Sequence, residues 1–251
     1  MKKNENINPG FIRYRKPRSG PESDMVKNFM ESIGTLFDAS SLRTSVFIEP
    51  RIGESIPDIV IAFWDNCISD YWMEERNTLE KRDIKILHHM YLKNTALSRE
   101  ELREELGYSI NEIDKTLNRL IKAGVVIKNC QGFSSGNIEK IFYVKKIITI
   151  EAKINDWKKA FEQAYVNDLF ASDSYELLPR KRINNEVLAL SNRLGIGVIG
   201  QSGTEAGIVN ESTQKAIPNT YASWLFNENI GRELYCNSFG MCGNFQDWKM
   251  L

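Results

Sequence analysis

The 251-residue chain has few histidines, few cysteines and no excess charge of either sign. Two histidines are too few to support a histidine-based nuclease site or a serine hydrolase triad. The four cysteines are scattered, which indicates a reduced protein without a disulfide framework. Lysine plus arginine equals aspartate plus glutamate at 33 each, so there is no global basic field for nucleic acid. Any contact with nucleic acid therefore requires local patches.

Long apolar runs are also missing. The most apolar stretches, Ile56 to Trp64 and Ile147 to Ile150, are strand-sized. They fall well short of the roughly 18 apolar residues of a membrane span. No apolar signal-peptide core follows the lysines of the opening MKKNENINPG. We therefore expect a cytoplasmic protein that has no membrane partner.

The two ends of the chain carry little structural signal. Residues 1–21 contain six basic residues among Asn, Gly and Pro, with too few apolar residues to pack. This composition predicts a mobile basic arm, and a plain disordered tail accounts for it equally well. Residues 204–251 have weak periodicity and receive no assignment.

Between these ends, apolar spacing predicts a first helix from Met25 and then two strands, Ser45 to Arg51 and Ile56 to Trp64. A turn at Gly53, Glu54 and Ser55 joins them as a hairpin. Further along, the pattern predicts a strand at Lys145 to Ile150 and then a long amphipathic helix through Phe170. A last strand is predicted at Ile196 to Gly200. These segments predict an α/β core.

The middle of the chain has a different pattern. One helix covers Ile84 to Leu92, and two capping boxes, Ser98 with Glu101 and Ser109 with Glu112, open two more. The last helix, Ser109 to Ala123, precedes β-rich runs predicted as strands at Val125 to Cys130 and Ile138 to Val144. This order resembles a winged helix over roughly residues 79–145.

The second capped helix would then be the recognition helix. It carries four side chains that can donate hydrogen bonds to DNA, namely Lys115, Asn118, Arg119 and Lys122. Acidic residues share this helix and dominate the preceding one. Because winged helices also dock proteins, DNA contact and protein contact both stay open.

Three glycines, Gly195, Gly197 and Gly200, spell G-x-G-x-x-G. A dinucleotide-binding loop needs these glycines between a strand and the helix that it opens. Here they interrupt the predicted strand itself. We therefore expect them to serve close packing within the sheet.

Two short motifs flank the middle module. Asp58 follows Pro57 at the start of one predicted strand, and Glu151-Ala152-Lys153 stands near the end of the next strand of the core. This pairing resembles the PD-(D/E)xK nuclease superfamily. The resemblance implies that Asp58 and Glu151 hold Mg²⁺ with help from the carbonyl of Ala152, because hard cations prefer oxygen ligands. Mn²⁺ is the alternative cofactor. Lys153 would position the attacking water and offset charge on the scissile phosphate.

The order of elements agrees with this resemblance once the middle module is removed. The superfamily places a helix, a strand, the Asp strand, the Glu-x-Lys strand, a helix and a strand in succession. By the same similarity, Gln163 on the following helix would orient the site or touch phosphate, and Glu22 would be the carboxylate of the first helix. The connection between the two motifs is unusually long for the superfamily, which requires residues 65–145 to form an independent module.

The predicted fold class is therefore α/β, a restriction-endonuclease-like mixed central sheet flanked by helices, with an inserted winged helix-turn-helix. The nuclease-like core comprises residues 22–66 and 145–203, and the insertion comprises residues 67–144. We expect a metal-dependent DNA endonuclease, of the restriction or phage-defence kind, acting as a homodimer or within a larger complex. RNA or branched DNA is a further substrate class. The alternative is a catalytically inactive regulator that binds DNA or a protein partner.

Overall fold

The structure, a computed structural model, describes residues 11–13, 19–37, 42–50, 56–65, 67–217 and 220–239. These residues form two compact units. The first comprises the described parts of 1–64 and 145–218, and the second comprises those of 65–144 and 219–244. Most of the predicted basic arm, and the turn at Gly53, Glu54 and Ser55, lie outside the described residues. No helix in the described ranges has both the length and the apolar character to cross a membrane.

The first unit is built on a mixed sheet. Its strands are β1 (Phe11–Arg13), β2 (Arg43–Ile48), β3 (Ile59–Trp64), β6 (Val144–Ala152), β7 (Asp173–Pro179), β8 (Gly197–Ser202) and β9 (Glu205–Asn210). Their order across the sheet is β1-β2-β3-β6-β7-β8-β9. Pairs β1/β2, β6/β7 and β7/β8 are parallel, whereas β2/β3 and β8/β9 are antiparallel. The antiparallel pairing of β2 with β3 agrees with the predicted hairpin.

Helices cover both faces of this sheet. They are α1 (Pro21–Phe29), α2 (Ile33–Leu36), α8 (Trp157–Asn167) and α9 (Asn185–Leu194), with 3₁₀ turns at Met30–Ser32 and Arg180–Arg182. Phe29 of α1 packs in one apolar cluster with Ile150 and Leu177. Phe161 of α8 packs in another with Leu178. Because successive strand residues point to opposite faces, Leu177 and Leu178 mark the two faces of β7. Burial on both faces also explains why all six residues of β3 are buried.

The glycines of β8 serve packing, as the sequence predicts. A Cβ atom added to Gly197 would lie 2.3 Å from ring carbons of Tyr175 on the adjacent strand. A Cβ atom on Gly200 would lie 2.9 Å from Ile183. Gly195 ends α9 with a positive φ of 70°, a conformation that suits glycine.

The second unit combines helices with a small hairpin. Its helices are α3 (Ile68–Tyr71), α4 (Lys81–Lys93), α5 (Arg99–Leu106), α6 (Ile110–Lys122), α7 (Ile138–Ile141) and α10 (Tyr221–Phe239), with a 3₁₀ segment at Glu74–Thr78. Strands β4 (Val126–Asn129) and β5 (Gly132–Ser135) pair antiparallel. Both predicted capping boxes are confirmed, since Ser98 and Ser109 each exchange hydrogen bonds with the glutamate three residues later.

The strand predicted at Ile138 to Val144 is wrong. The second hairpin strand is β5, which lies in the Gly/Ser-rich stretch between the two predicted strands. The turn comes earlier, where the Asn129 side chain accepts a hydrogen bond from the backbone amide of Gln131. Residues 138–141 are instead helical, because Asn137 caps them by accepting a hydrogen bond from the Glu139 amide.

Several elements have no counterpart among the predicted segments. They include β1, which lies within the predicted basic arm and pairs with β2, and also β7, α9, β9 and α10. The strand that follows the long helix is β7, so the predicted strand at Ile196 to Gly200, observed as β8, comes one step later. The long helix also ends at Asn167, not at Phe170. The sequence does not predict helix α10, because residues 223–232 are buried on every side. A helix buried in this way lacks the periodic alternation of apolar and polar residues. Its Glu228 is satisfied by a buried ion pair with Arg76 of the same unit.

Candidate active site

Asp58 and Ala152 meet where two neighbouring strands end. Asp58 directly precedes β3, and Ala152 is the last residue of β6. The Ala152 amide donates a hydrogen bond to Asp58 Oδ2 at 2.8 Å, although the two residues are 94 positions apart. The fold therefore brings together the two motifs that the sequence separates by the second unit.

Lys153 lies among the acidic groups of this site. Its Nζ is 3.9 Å from Asp58 Oδ2 and 3.6 Å from Glu22 Oε2, and it donates to the Ala152 carbonyl at 3.0 Å. The Lys153 side chain is 15% exposed, so these interactions are partly screened from water. Glu22 reaches the lysine from the first turn of α1.

Glu151 is the buried member of the site. Only 2% of it is exposed, and Asn167 Nδ2 donates a hydrogen bond to its Oε1 at 2.6 Å. Burial, and then the nearby charge of Asp58, raise the pKa of Glu151 to about 8. Asn167 stands in the last turn of α8 and holds the carboxylate in one orientation.

The pKa of Asp58 is also raised. Burial is the largest cause, and the charges of Glu22 and Glu49 act in the same direction. The Ala152 amide and the ammonium of Lys153 oppose the rise because both stabilise the ionised carboxylate. Among the described residues, the Asp58 carboxyl group thus lies near other carboxyl groups as well as the ammonium of Lys153.

A cleft of about 390 Å³ opens beside Asp58. Its lining includes the carboxylate residues Glu22, Glu49 and Asp58, together with Asn155 and the backbone at Gly20. Glu49 has a positive φ of 50°, and one of its buried carboxylate oxygens has no hydrogen-bond partner among the described residues. A cleft of this size and polarity admits a polar ligand to the site.

Glu176 is a further buried carboxylate beside the site, and the sequence motifs do not indicate it. It lies directly opposite Glu151 in the parallel pairing of β6 with β7 and has no exposed surface. Burial, and then the charge of Glu151, raise its pKa to about 9. A lone glutamate between Tyr175 and Leu177 is an unusual occupant of a buried strand, and this was the available signal.

Gln163 lies on α8, one helical turn before Asn167. Its side-chain oxygen is buried and has no hydrogen-bond partner among the described residues. The residue therefore occupies the helix that supplies Asn167 to Glu151. No contact between Gln163 and Asp58 or Lys153 is seen in the described part of the chain.

The proposed DNA-contacting residues of α6 differ in how they are placed. Lys115, Asn118 and Lys122 are exposed and follow one another at helical spacing. Arg119 instead forms two hydrogen bonds with the fully buried carboxylate of Asp83, at 2.8 and 2.6 Å. This pairing raises the pKa of Arg119. Its guanidinium is therefore occupied within the second unit.

The donor set of the site suits a hard divalent cation. Asp58, Glu151 and the Ala152 carbonyl supply oxygen atoms, which Mg²⁺ and Mn²⁺ prefer. Within the described ranges, no group of three or more His, Cys, Asp or Glu side chains stands in an arrangement that could hold a metal ion. The Ala152 carbonyl already accepts a hydrogen bond from the Lys153 ammonium. The chemistry of the donors fits, and side-chain adjustment would be needed to converge them on one ion.

Comparison with known proteins adds little. No protein-family model and no curated protein matches the chain. A solved structure of a protein of unknown function from Silicibacter pomeroyi is similar at 13% sequence identity, over 41% of this chain and 75% of that one, with a TM-score of 0.25. A similarity this weak supports no statement about fold or function.

Proposed function

We propose that this protein is a metal-dependent nuclease of the PD-(D/E)xK superfamily that hydrolyses phosphodiester bonds in DNA. One observation carries the proposal: Asp58, Ala152 and Lys153 meet at the adjoining ends of β3 and β6, with Glu22 of α1 beside the lysine. The fold thus brings these residue types together although they are distant in sequence, as a shared site requires.

The order of elements supports the same proposal. Once the second unit and the short elements β1 and α2 are set aside, the chain runs α1, β2, β3, β6, α8 and β7, followed by further elements. This is the helix, strand, strand, strand, helix, strand succession that the resemblance implies, with Asp58 before the third element and Glu151 in the fourth. The restriction-endonuclease-like fold is therefore part of what we propose.

Asp58 and Glu151 would hold Mg²⁺, or Mn²⁺ in its place, with the Ala152 carbonyl as a third oxygen donor. When bound, the cation would polarise the phosphate and lower the pKa of a coordinated water. The chain itself prepares the site. Asn167 fixes the orientation of Glu151, and the Ala152 amide fixes that of Asp58.

We assign to Lys153 the role of contacting the reacting phosphate. Its ammonium holds a positive charge that can offset the negative charge developing on the phosphate oxygens, and its protons can orient the attacking water. Glu22 and Asp58 keep Nζ near the cleft. The acidic surroundings therefore position the lysine as well as the cation.

We further propose that the second unit is a winged helix that contacts DNA through the exposed residues of α6. The succession α4, α5, α6, β4, β5 supports this assignment. Lys115, Asn118 and Lys122 form one exposed row of hydrogen-bond donors. Arg119 is excluded from that row by its pairing with Asp83.

A second candidate function is a catalytically inactive regulator that binds a protein partner through this unit. The observation in its favour is charge. Helix α5 exposes Glu100, Glu101 and Glu104, and the engagement of Arg119 removes one positive charge from the neighbouring surface. An acidic face of this kind suits a basic protein surface better than a phosphate backbone.

The experiment compares the wild-type protein with Asp58→Ala and with Glu162→Gln, an exposed carboxylate on α8 that serves as the control. Each is incubated with supercoiled, linear and single-stranded DNA and with RNA, in Mg²⁺, Mn²⁺ or EDTA. The nuclease proposal expects cleavage that EDTA and Asp58→Ala abolish and that Glu162→Gln preserves. Absence of cleavage in every condition would favour the regulator, and cleavage of RNA alone would change the substrate class.

A further inference from the structure

Two buried carboxylates lie side by side beneath α8. Glu151 and Glu176 are register partners on the parallel strands β6 and β7, whose backbones lie about 4.8 Å apart. Residues Ile150 and Leu177, which flank them, belong to the apolar cluster of α1, so the two glutamates point to the opposite face. That face is covered by α8, which supplies Asn167 to Glu151.

The side chain of Glu176 is buried without a hydrogen-bond partner among the described residues. It is 0% exposed, and neither of its carboxylate oxygens has a hydrogen-bond partner among the described residues. A buried polar group without a partner costs roughly 1–3 kcal/mol, and an ionised one costs more. Such a group in a native fold indicates a partner of another kind, such as a bound ion.

A third oxygen donor is available on α8. The buried side-chain oxygen of Gln163 has no hydrogen-bond partner in the described ranges, and Gln163 shares a helix face with Asn167, which reaches Glu151. An amide oxygen and two carboxylates are ligands that Mg²⁺ and Mn²⁺ accept. The oxygens of Gln163 and Glu176 that lack hydrogen bonds therefore lie on the helix and the strand next to Glu151.

We propose that Glu176 and Glu151, with Gln163, hold a second divalent cation beneath α8. The proposal rests on the proposed function, in which Asp58 and Glu151 hold the first cation. Glu151 would then contribute to both sites, together with Asp58, which lines the open cleft, and with Glu176, which is buried. The ligand class is a hard divalent cation of the size of Mg²⁺ or Mn²⁺.

The test counts bound ions directly and needs no nucleic acid. Binding of Mn²⁺ to the full chain is followed by electron paramagnetic resonance of the free ion for wild type, Glu176→Gln and the exposed control Glu162→Gln. The proposal expects two Mn²⁺ ions per chain for wild type and for the control. For Glu176→Gln it expects one ion, whose affinity changes less than about threefold.

Two results would overturn the proposal: wild type binds one Mn²⁺ or none, or Glu176→Gln still binds two with unchanged affinity. In either case Glu176 holds only a proton. If circular dichroism shows that Glu176→Gln does not fold, Glu176→Asp replaces it and is expected to weaken the second ion at least tenfold. Cleavage is measured separately, so two bound ions without cleavage would reject the nuclease function and leave the second site standing.

Discussion

Asp58 accepts a hydrogen bond from the backbone amide of Ala152, and this contact joins two strands that the second unit separates in sequence. An N–H donor at this distance stabilises the ionised carboxylate. It also leaves Glu151 and Lys153, the neighbours of Ala152, beside Asp58. A strand pairing of the core thereby positions the candidate site.

The first prediction concerns Lys153→Ala. Loss of the ammonium should lower cleavage by about 10²- to 10³-fold, because the charge developing on the phosphate is no longer offset. Thermal unfolding and DNA affinity should stay close to wild type. The matched control is Lys159→Ala, an exposed lysine of α8. Gross unfolding, or an equal loss of DNA binding, would count against a catalytic role for Lys153.

Asn167→Leu tests the orientation of Glu151. The substitution removes the hydrogen bond to Glu151 Oε1 and keeps a similar side-chain volume. Loss of such a supporting contact lowers metal affinity by about 10- to 100-fold. Isothermal titration with Mn²⁺ measures the change, with the exposed Asn111→Ala as the control. Unchanged affinity would mean that Glu151 does not depend on Asn167.

The pH dependence of stability should change in Glu176→Gln. The pKa of Glu176 rises from 4.5 to about 9 on folding, so the folded state keeps a proton that the unfolded state releases. Stability from this group is complete below about pH 4.5 and is lost as the pH rises towards about 9.

In EDTA, the stability of Glu176→Gln relative to wild type should therefore increase with pH across that window, by up to about 1.4 kcal/mol per pH unit. Urea unfolding at about pH 5 and about pH 8 provides the comparison. A constant difference between the two proteins would show that Glu176 titrates normally in the folded state.

On α6, we expect Arg119 to contribute to stability and the exposed lysines to contribute to DNA binding. Arg119→Ala leaves the buried Asp83 carboxylate without its charged partner and should lower the free energy of unfolding by about 2–3 kcal/mol. Lys115→Ala with Lys122→Ala should leave stability unchanged and weaken DNA binding. Each lysine removed should reduce the salt dependence of the affinity by about one unit of slope. If the lysine pair has no effect on DNA affinity, protein docking becomes the better explanation for this unit.

Gly197→Ala tests the packing of β8. The added methyl would lie 2.3 Å from ring carbons of Tyr175, so the free energy of unfolding should fall by about 1–3 kcal/mol. Gly34→Ala is the control, because nothing lies within 4 Å of its added methyl and the residue is helical. That change should be neutral or stabilising by up to about 1 kcal/mol. Equal effects of the two substitutions would show that β8 tolerates a side chain.

Local signals in the sequence determined the second unit best. The capping boxes of α5 and α6 involve residues three positions apart, and the amphipathic face of α6 repeats every turn. Both patterns act over a few residues, so they are visible without knowledge of the fold. The sequence also determined the two motifs of the site and the glycines that pack within β8. It failed where polar and apolar residues mix, as in β7, or where burial removes periodicity, as in α10.

Only the tertiary structure decided which groups meet. Strand order placed Asp58 beside Ala152, and strand register placed Glu176 opposite Glu151. Helix packing bound Arg119 to Asp83 and thereby removed it from the exposed row of α6. These relationships join residues that are distant along the chain, and no local preference of the backbone encodes them. Their cause is burial, on both faces of the sheet in the first unit and between helices in the second, which sets the neighbours of each side chain and the cost of leaving a charge unpaired.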